Sequence, residues 1–252
     1  MLLDLTGKVI LITGAANGIG RAIATQAAAA GATLVLTDRD ASLDRIAADL
    51  VATAHIADLL DPAAPRQITD AALGLHGRID ALVNAAGLTS RATFLTATPA
   101  LWDQLFTINA RAPFFLMQAV LADMLARKSP GTILNILSMN APCGIPELAV
   151  YSGTKGALAT LTRNAANAHM ADRIRVNGIN LGWVATETEH HMQADILGRG
   201  ADWQAQAAAT LPLGRLVTAE EAANLATYLL SDASIPMSGA VIDLDQKVAG
   251  AP

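Results

Sequence analysis

Tyr151 and Lys155 stand four residues apart in the segment Tyr151-Ser152-Gly153-Thr154-Lys155. On a helix that spacing puts a phenol and an ammonium on one face. A phenol with an ordinary pKa of about 10 is only about 0.1% ionised at pH 7, too little to act as a base. An ammonium about 4 Å away, at an effective dielectric of about 20, is worth about 4 kcal/mol, or at most about three pKa units. The pair is therefore expected to supply a phenol that exchanges protons near neutral pH, where general acid–base catalysis works best. Alone, such a pair is more often a solvated helix face, so its partners matter. Ser138 directly follows an apolar run at 132–137, and Asn109 lies in the long helical stretch before it.

A second group of residues has the chemistry of a phosphate cradle. Thr13-Gly14-Ala15-Ala16-Asn17-Gly18-Ile19-Gly20 lies between an apolar strand pattern and a helix pattern. Glycines let the backbone approach a pyrophosphate, whose charge meets free N–H groups at the helix start. Asp38 closes the next strand pattern 18 residues after Gly20, close to the roughly 20 expected for the acid that binds an adenine ribose. A carboxylate there accepts from a 2′-hydroxyl and repels a 2′-phosphate. Arg39 is the argument for a 2′-phosphate, whereas Asn17 is neutral where a basic residue would help to hold one. NAD is expected over NADP.

The elements that must position these groups alternate regularly. Strands are expected at 9–13, 33–37, 52–56, 81–84, 132–137, 175–181 and 240–244. Helices are expected at 21–30, 42–51, 62–76, 99–126, 150–171 and 218–231. Short apolar runs mark strands buried on both faces. Pro113 should kink the 99–126 helix or set a local boundary in it, and Thr218 with Glu221 forms a capping box. Alternation at this spacing means parallel strands joined by right-handed crossovers. The expectation is one α/β domain over 1–252: a doubly wound, Rossmann-type sheet of about seven strands with helices on both faces. Residues 183–210 are mixed and polar, and their glycines suggest a substrate lid.

Composition narrows the function classes. The chain has 252 residues, of which 52% are hydrophobic, 15% charged and 4% aromatic. A core of small aliphatic side chains suits close helix-on-sheet packing, and sparse charge points to surface covered by further copies. With a net charge of −5 and no basic stripe, nucleic acid is not an expected partner. The single cysteine, Cys143, cannot form an internal disulfide and fits a reducing compartment. Residues 1–13 read as a strand segment rather than a signal peptide, and no apolar stretch approaches a membrane span. No cluster has metal-ligand spacing. A cytoplasmic protein is expected.

The ordered set Thr13-Gly-x-x-x-Gly18-x-Gly20, Asp38, Asp58, Asn84-Ala-Ala-Gly87, Asn109, Ser138 and Tyr151-x-x-x-Lys155 resembles the short-chain dehydrogenase/reductase family over nearly the whole chain. The resemblance implies that Tyr151 is the catalytic acid/base and that Ser138 binds the substrate oxygen. It implies that Lys155 lowers the Tyr151 pKa and holds the nicotinamide ribose, while Asn109 holds a proton-relaying water. It places the cofactor along Gly14, Asn17, Gly18, Ile19, Gly20, Asp38, Arg39, Asp58, Leu59, Asn84, Ala85 and Gly87. Gly182, Val184 and Thr186 then lie on the nicotinamide side. The family's usual form, a tetramer, agrees with the sparse charge. The sequence departs from the family pattern at Ala85, at Leu181-Gly182, and at Asp243-Leu-Asp-Gln246.

The substrate side is read from residues 139–150 and 183–210, with Asn140, Trp183, His190 and His191 as candidates. Cys143, Glu147, Glu187, Glu189, Gln193 and Trp203 also lie there. That polar set suits a polyhydroxylated ligand, and the wording of both regions resembles sugar and polyol dehydrogenases. Adjacent His190 and His191 point apart on a helix and are more ordinary as surface residues. Two other functions compete with a polyol dehydrogenase. A dinucleotide-retaining epimerase or dehydratase shares the Tyr-x-x-x-Lys pair but needs a larger C-terminal region. An NAD-sensing scaffold has no use for a proton relay.

Overall fold

The protein was analysed as a computed structural model, which describes residues 3–247; Met1 and Leu2 of the first expected segment lie outside them. Strand β1 (Val9–Thr13) is buried along its whole length. Its alternate side chains feed two cores: Ile10 and Ile12 face one layer, Val9 and Leu11 the other. The chain continues with α1 (Gly18–Ala29), β2 (Thr33–Asp38), α2 (Leu43–Asp49), β3 (Thr53–Ile56), α3 (Ala64–His76) and β4 (Ala81–Asn84). Then follow α4 (Pro99–Phe106), α5 (Ala112–Arg127), β5 (Gly131–Ser138), α6 (Ala149–His169) and β6 (Ile174–Leu181). A short strand β7 (Val184–Ala185), helices α7 (Glu187–His191) and α8 (Trp203–Ala208), and β8 (Val217–Thr218) lead to α9 (Ala219–Leu230) and β9 (Val241–Leu244).

Seven strands form one parallel sheet in the order β3-β2-β1-β4-β5-β6-β9. The strand order reverses between β1 and β4, which opens a crevice at their carboxyl ends. One face is covered by α1 and α9, whose buried Ala24, Ala27, Ala222, Ala223 and Ala226 let the helices pack closely. The other carries Ile68 of α3, Leu116 and Val120 of α5, and Leu158 of α6. The capping box of Thr218 and Glu221 is formed.

Pro113 marks the expected boundary within the 99–126 stretch: α5 begins beside it, and a π-helical turn at Thr107–Arg111 joins α4 to α5. Pro113 sits in the first turn of α5, where its ring is tolerated. Having no N–H, it cannot donate to the carbonyl of Asn109, four residues earlier. The stretch Pro99–Arg127 is apolar and long, and more than half of its most apolar window is buried inside the domain. The 183–210 segment is more ordered than its composition suggested. β7 pairs with β8, and Trp203, Ala207 and Leu216 form a small core of their own.

A buried polar chain seats α6 on the sheet. Asn84 Nδ2 donates to Asn135 Oδ1 (2.8 Å), and Asn135 Nδ2 donates to Thr162 Oγ1 (2.9 Å). Replacing Asn135 with Ala leaves buried donors and acceptors unpaired on both sides. The expected cost is about 2–3 kcal/mol of unfolding free energy, measured by urea denaturation.

Candidate active site

A cleft of about 330 Å³ runs across the carboxyl ends of β1, β2 and β4. Its walls include the predicted Gly14, Asn17, Gly18, Ile19 and Gly20 of the first turn, and Asp38 and Arg39 after β2. Asp58 and Leu59 beyond β3, Ala85 and Gly87 beyond β4, and Thr186 complete the expected lining. The turn tolerates nothing larger than glycine at two points. Gly14 has φ +67°, and a Cβ there would lie 2.8 Å from the Ala86 backbone. A Cβ on Gly20 would collide with the Gly14 carbonyl oxygen. Thr13 Oγ1 accepts from the N–H groups of Ala85 and Ala86, both at 3.1 Å, and so ties the two walls together. The bare glycine backbone, the helix start and the carboxylate at the far end fit a dinucleotide: phosphates at the turn, a ribose at Asp38.

The lining also departs from expectation. Asn84 is 2% exposed and spends its side chain on Asn135, so it holds the sheet rather than lining the cleft. Val184 packs into the main apolar core, and Gly182 packs against Asp245. Asp40 and Thr188 line the cleft without having been singled out. Asp40 stands there because the carboxylate oxygens of Asp38 accept from Ala16 N (3.0 Å) and Asp40 N (3.1 Å), which folds the 38–40 turn inward. The unusual Asp243–Gln246 end has a structural use. Asn180 Nδ2 donates to Asp243 Oδ1 (2.8 Å), and Gln246 bonds the backbone at Leu213 and Arg215.

The proton-handling groups meet where β5 and α6 reach the cleft. Ser138, 5% exposed, ends β5, and its Oγ accepts from Asn140 N (3.1 Å) and Asn140 Nδ2 (3.3 Å). Those two bonds use the acceptor side of Oγ and leave the Ser138 hydroxyl hydrogen for Tyr151 or a ligand. Tyr151 lies in the first turn of α6. Burial pushes its phenol above the usual 10.0; the hydroxyls of Ser138 and Thr89 pull it back, and the Glu189 carboxylate adds to the rise. Lys155 is 5% exposed, and its Nζ donates to the Ile136 carbonyl at 2.8 Å. Burial brings its pKa from 10.5 to about 8.

The expected electrostatic partnership is therefore not what sets the Tyr151 pKa here. The ammonium lies 5.9 Å from the centre of the Tyr151 ring, anchored to a strand carbonyl, and burial is the largest cause of the phenol's rise. Of Tyr151 and Lys155, it is Lys155 that burial brings nearer to neutrality. Lys155 reaches the cleft at Gly87, where a Cβ would lie 3.5 Å from Nζ and 3.4 Å from Asn109 Oδ1. Asn109 is fully buried in the π-helical turn. Its side chain clamps Leu88 through N–H and C=O bonds of 2.9 Å each and donates to Thr154 Oγ1 at 3.1 Å.

On the substrate side Asn140 touches Ser138 as described. Trp183 donates to Glu189 Oε1 (2.7 Å), and His190 Nδ1 accepts from Trp203 Nε1 (2.9 Å). His191 pairs with Asp195 at 2.7 Å in an exposed position, and Cys143 is exposed. Glu189 was only one polar residue among several in the sequence. The turn after β6 places it where Trp183 and Gln193 hold its carboxylate and its charge raises the phenol pKa, which no spacing rule foretells.

A family model described as enoyl-(acyl carrier protein) reductase matches residues 14–246. The chain belongs to the short-chain dehydrogenase/reductase family. As a family member it is 35% identical to an L-xylulose reductase of Bos taurus, over 97% of this chain and 98% of that one. It is 34% identical to a gluconate 5-dehydrogenase of Gluconobacter oxydans, over 97% and 95%. The solved L-sorbose reductase of Gluconobacter frateurii, complexed with NADPH and L-sorbose, superposes with a TM-score of 0.90 at 26% identity and full coverage of both chains. This dehydrogenase/reductase is thus an oxidoreductase that transfers a hydride between a nicotinamide dinucleotide and a secondary alcohol or ketone.

Burial of Lys155 makes the stability of this dehydrogenase/reductase depend on pH. Below pH 8 the amine is protonated folded and unfolded alike, and the desolvation cost is fully present. Between pH 8 and 10.5 the unfolded chain holds the proton more often, so stability rises with pH. Relative to Lys155→Met, the wild type should gain about 2–3 kcal/mol between neutral pH and about pH 10. Parallel denaturant titrations at the two pH values measure the change; a constant difference would contradict the buried charge.

Proposed function

We propose that the protein is an NAD(H)-dependent dehydrogenase/reductase that interconverts a secondary hydroxyl of a polyol or sugar with its ketone. The observation that carries this is the meeting of Ser138, Tyr151 and Lys155 at the carboxyl edge of β5, beside the Gly87 wall of the cleft. Bound there, the nicotinamide would accept the hydride in oxidation and supply it in reduction. Gly14, Gly18 and Gly20 admit the phosphates, Asp38 accepts from the adenine ribose, and Asp58 and Leu59 flank the adenine end. Thr186 faces Gly18, where a Cβ would lie 3.3 Å from its methyl group, so the 183–210 segment closes over the turn as a lid.

Ser138 donates to the substrate oxygen, because Asn140 already supplies its acceptor bonds. Tyr151 removes the hydroxyl proton in oxidation and returns it in reduction. Lys155, with a pKa of about 8, is the next holder of that proton. The Asn109 carbonyl accepts from the water that carries it outward. Tyr151→Phe should lower turnover by at least about a thousandfold while NADH affinity, read by fluorescence titration, changes little. A mutant with substantial activity would overturn the assignment.

The preference for NAD rests on two carboxylates, Asp38 and Asp40, at the ribose end of the cleft, against the one cation Arg39. A 2′-phosphate would face both. The NADPH of the L-sorbose reductase structure belongs to that protein. The names of the relatives, for xylulose, gluconate and sorbose, support a polyhydroxylated substrate. A cytoplasmic homotetramer is the assembly we favour, with Trp102, Phe114 and Phe115 as exposed apolar residues on α4 and α5. Asp38→Ala should reduce the NAD-over-NADP ratio of kcat/KM by about tenfold or more. An unchanged ratio would remove Asp38 from cofactor choice.

A further inference from the structure

Glu189 is built into the substrate side in a way that its own fold does not require. Thr186 Oγ1 accepts from the Glu189 N–H at 3.1 Å and sets the start of α7. The side chain then turns inward, where Oε1 accepts from both Trp183 Nε1 (2.7 Å) and Gln193 Nε2 (2.6 Å). Those donors are themselves fixed. Gln193 is 1% exposed, and the Trp183 ring lies 5.9 Å from that of Trp203, which is buried and bonded to His190. Two donors thus hold one carboxylate oxygen, while Oε2 has no donor among the described residues. The buried Gln193 Oε1 also has no partner.

The location is the substrate end of the site. Ser138 pairs in register with Leu181, and Met139 N donates to the Leu181 carbonyl, so Gly182 and Trp183 leave the sheet beside the Ser138 turn. The carboxylate raises the Tyr151 pKa through its charge, less strongly than burial, Ser138 and Thr89 shift it. Its negative charge is only half-buried and has no cation paired with it. A substrate hydroxyl would satisfy it; a substrate carboxylate would be repelled.

We propose that Glu189 selects the substrate: it accepts a hydrogen bond from a hydroxyl near the reacting carbon and excludes alcohols bearing an anionic group there. The preferred class is then the neutral polyol or ketose, and sugar acids are disfavoured. This rests on the hydride-transfer reading above and narrows it, separating a xylulose-like or sorbose-like substrate from a gluconate-like one.

The test compares a neutral ketose with a keto sugar acid in the wild type, Glu189→Gln and Glu189→Ala. Substrate binding, read from tryptophan fluorescence because Trp183 contacts Glu189, should favour the neutral ketose in the wild type. In Glu189→Gln the ratio of sugar-acid to ketose kcat/KM should rise about tenfold, chiefly through KM, since the charge is lost while the amide still accepts from Trp183. Glu189→Ala should weaken ketose binding about tenfold. Removing the charge should also move the acid limb of the oxidation pH profile downward, because Glu189 raises the Tyr151 pKa. The groups facing that phenol are Ser138, Thr89, Glu189 and Lys155, so the shift is specific to the lost carboxylate. Equal binding of both ligands by the wild type, or an unchanged ratio in Glu189→Gln, would overturn the proposal. Absence of turnover with every alcohol and ketone would instead refute the hydride-transfer reading, and the binding ratio would still judge Glu189.

Discussion

Lys155 keeps an amine that is half-way to losing its charge at pH 8 in a place almost closed to water, and the Ile136 carbonyl at 2.8 Å is its hydrogen-bond acceptor. That bond links α6 to β5 two residues before Ser138. It therefore sets the rotation of α6 against the strand, and with it the side on which Tyr151, one turn earlier, emerges. Two turns further on, the Asn135–Thr162 bond makes the same attachment a second time. A helix pinned at both points has little freedom to slide, and proton transfer requires that kind of rigidity.

The same burial creates an electrostatic tension. Low polarity disfavours both the phenolate of Tyr151 and the ammonium of Lys155, so the phenol is raised while the amine is lowered. From ordinary values of 10.0 and 10.5 the two move apart, to above 10 for the phenol and about 8 for the amine, so the phenolate is the stronger base of the pair. Glu189 leans on this balance from the substrate side, and the hydroxyls of Ser138 and Thr89 oppose it. Binding and acid–base chemistry are thus coupled through one small, poorly solvated volume.

Much of this was legible in advance where the signal is local. Each of the seven strands was placed within one or two residues; the inner ones, buried on both faces, read as apolar runs, whereas β3 and β9 at the edges are only partly buried. The Thr218–Glu221 cap was legible for the same reason: its partners are three residues apart. The π-helical turn was not. Pro113 marked the boundary where α5 begins, but nothing local announced the π turn before it, where Asn109 reaches Leu88 and Thr154. Asn84 looked like a cleft residue by position and proved to be a cross-sheet brace, since a strand-end side chain can face either way.

The amino-acid sequence by itself determined the architecture, the glycine turn, the acid after the second strand and the Tyr151–Lys155 pairing on one helix face. These depend on periodicity and on backbone conformations that particular residue types permit or forbid. Only the tertiary structure decided how far the ammonium lies from the phenol, that Asp40 joins Asp38, and that Glu189 comes to the reacting end. Such facts depend on how far each group is removed from water and on contacts between distant segments, and spacing along a chain carries neither quantity.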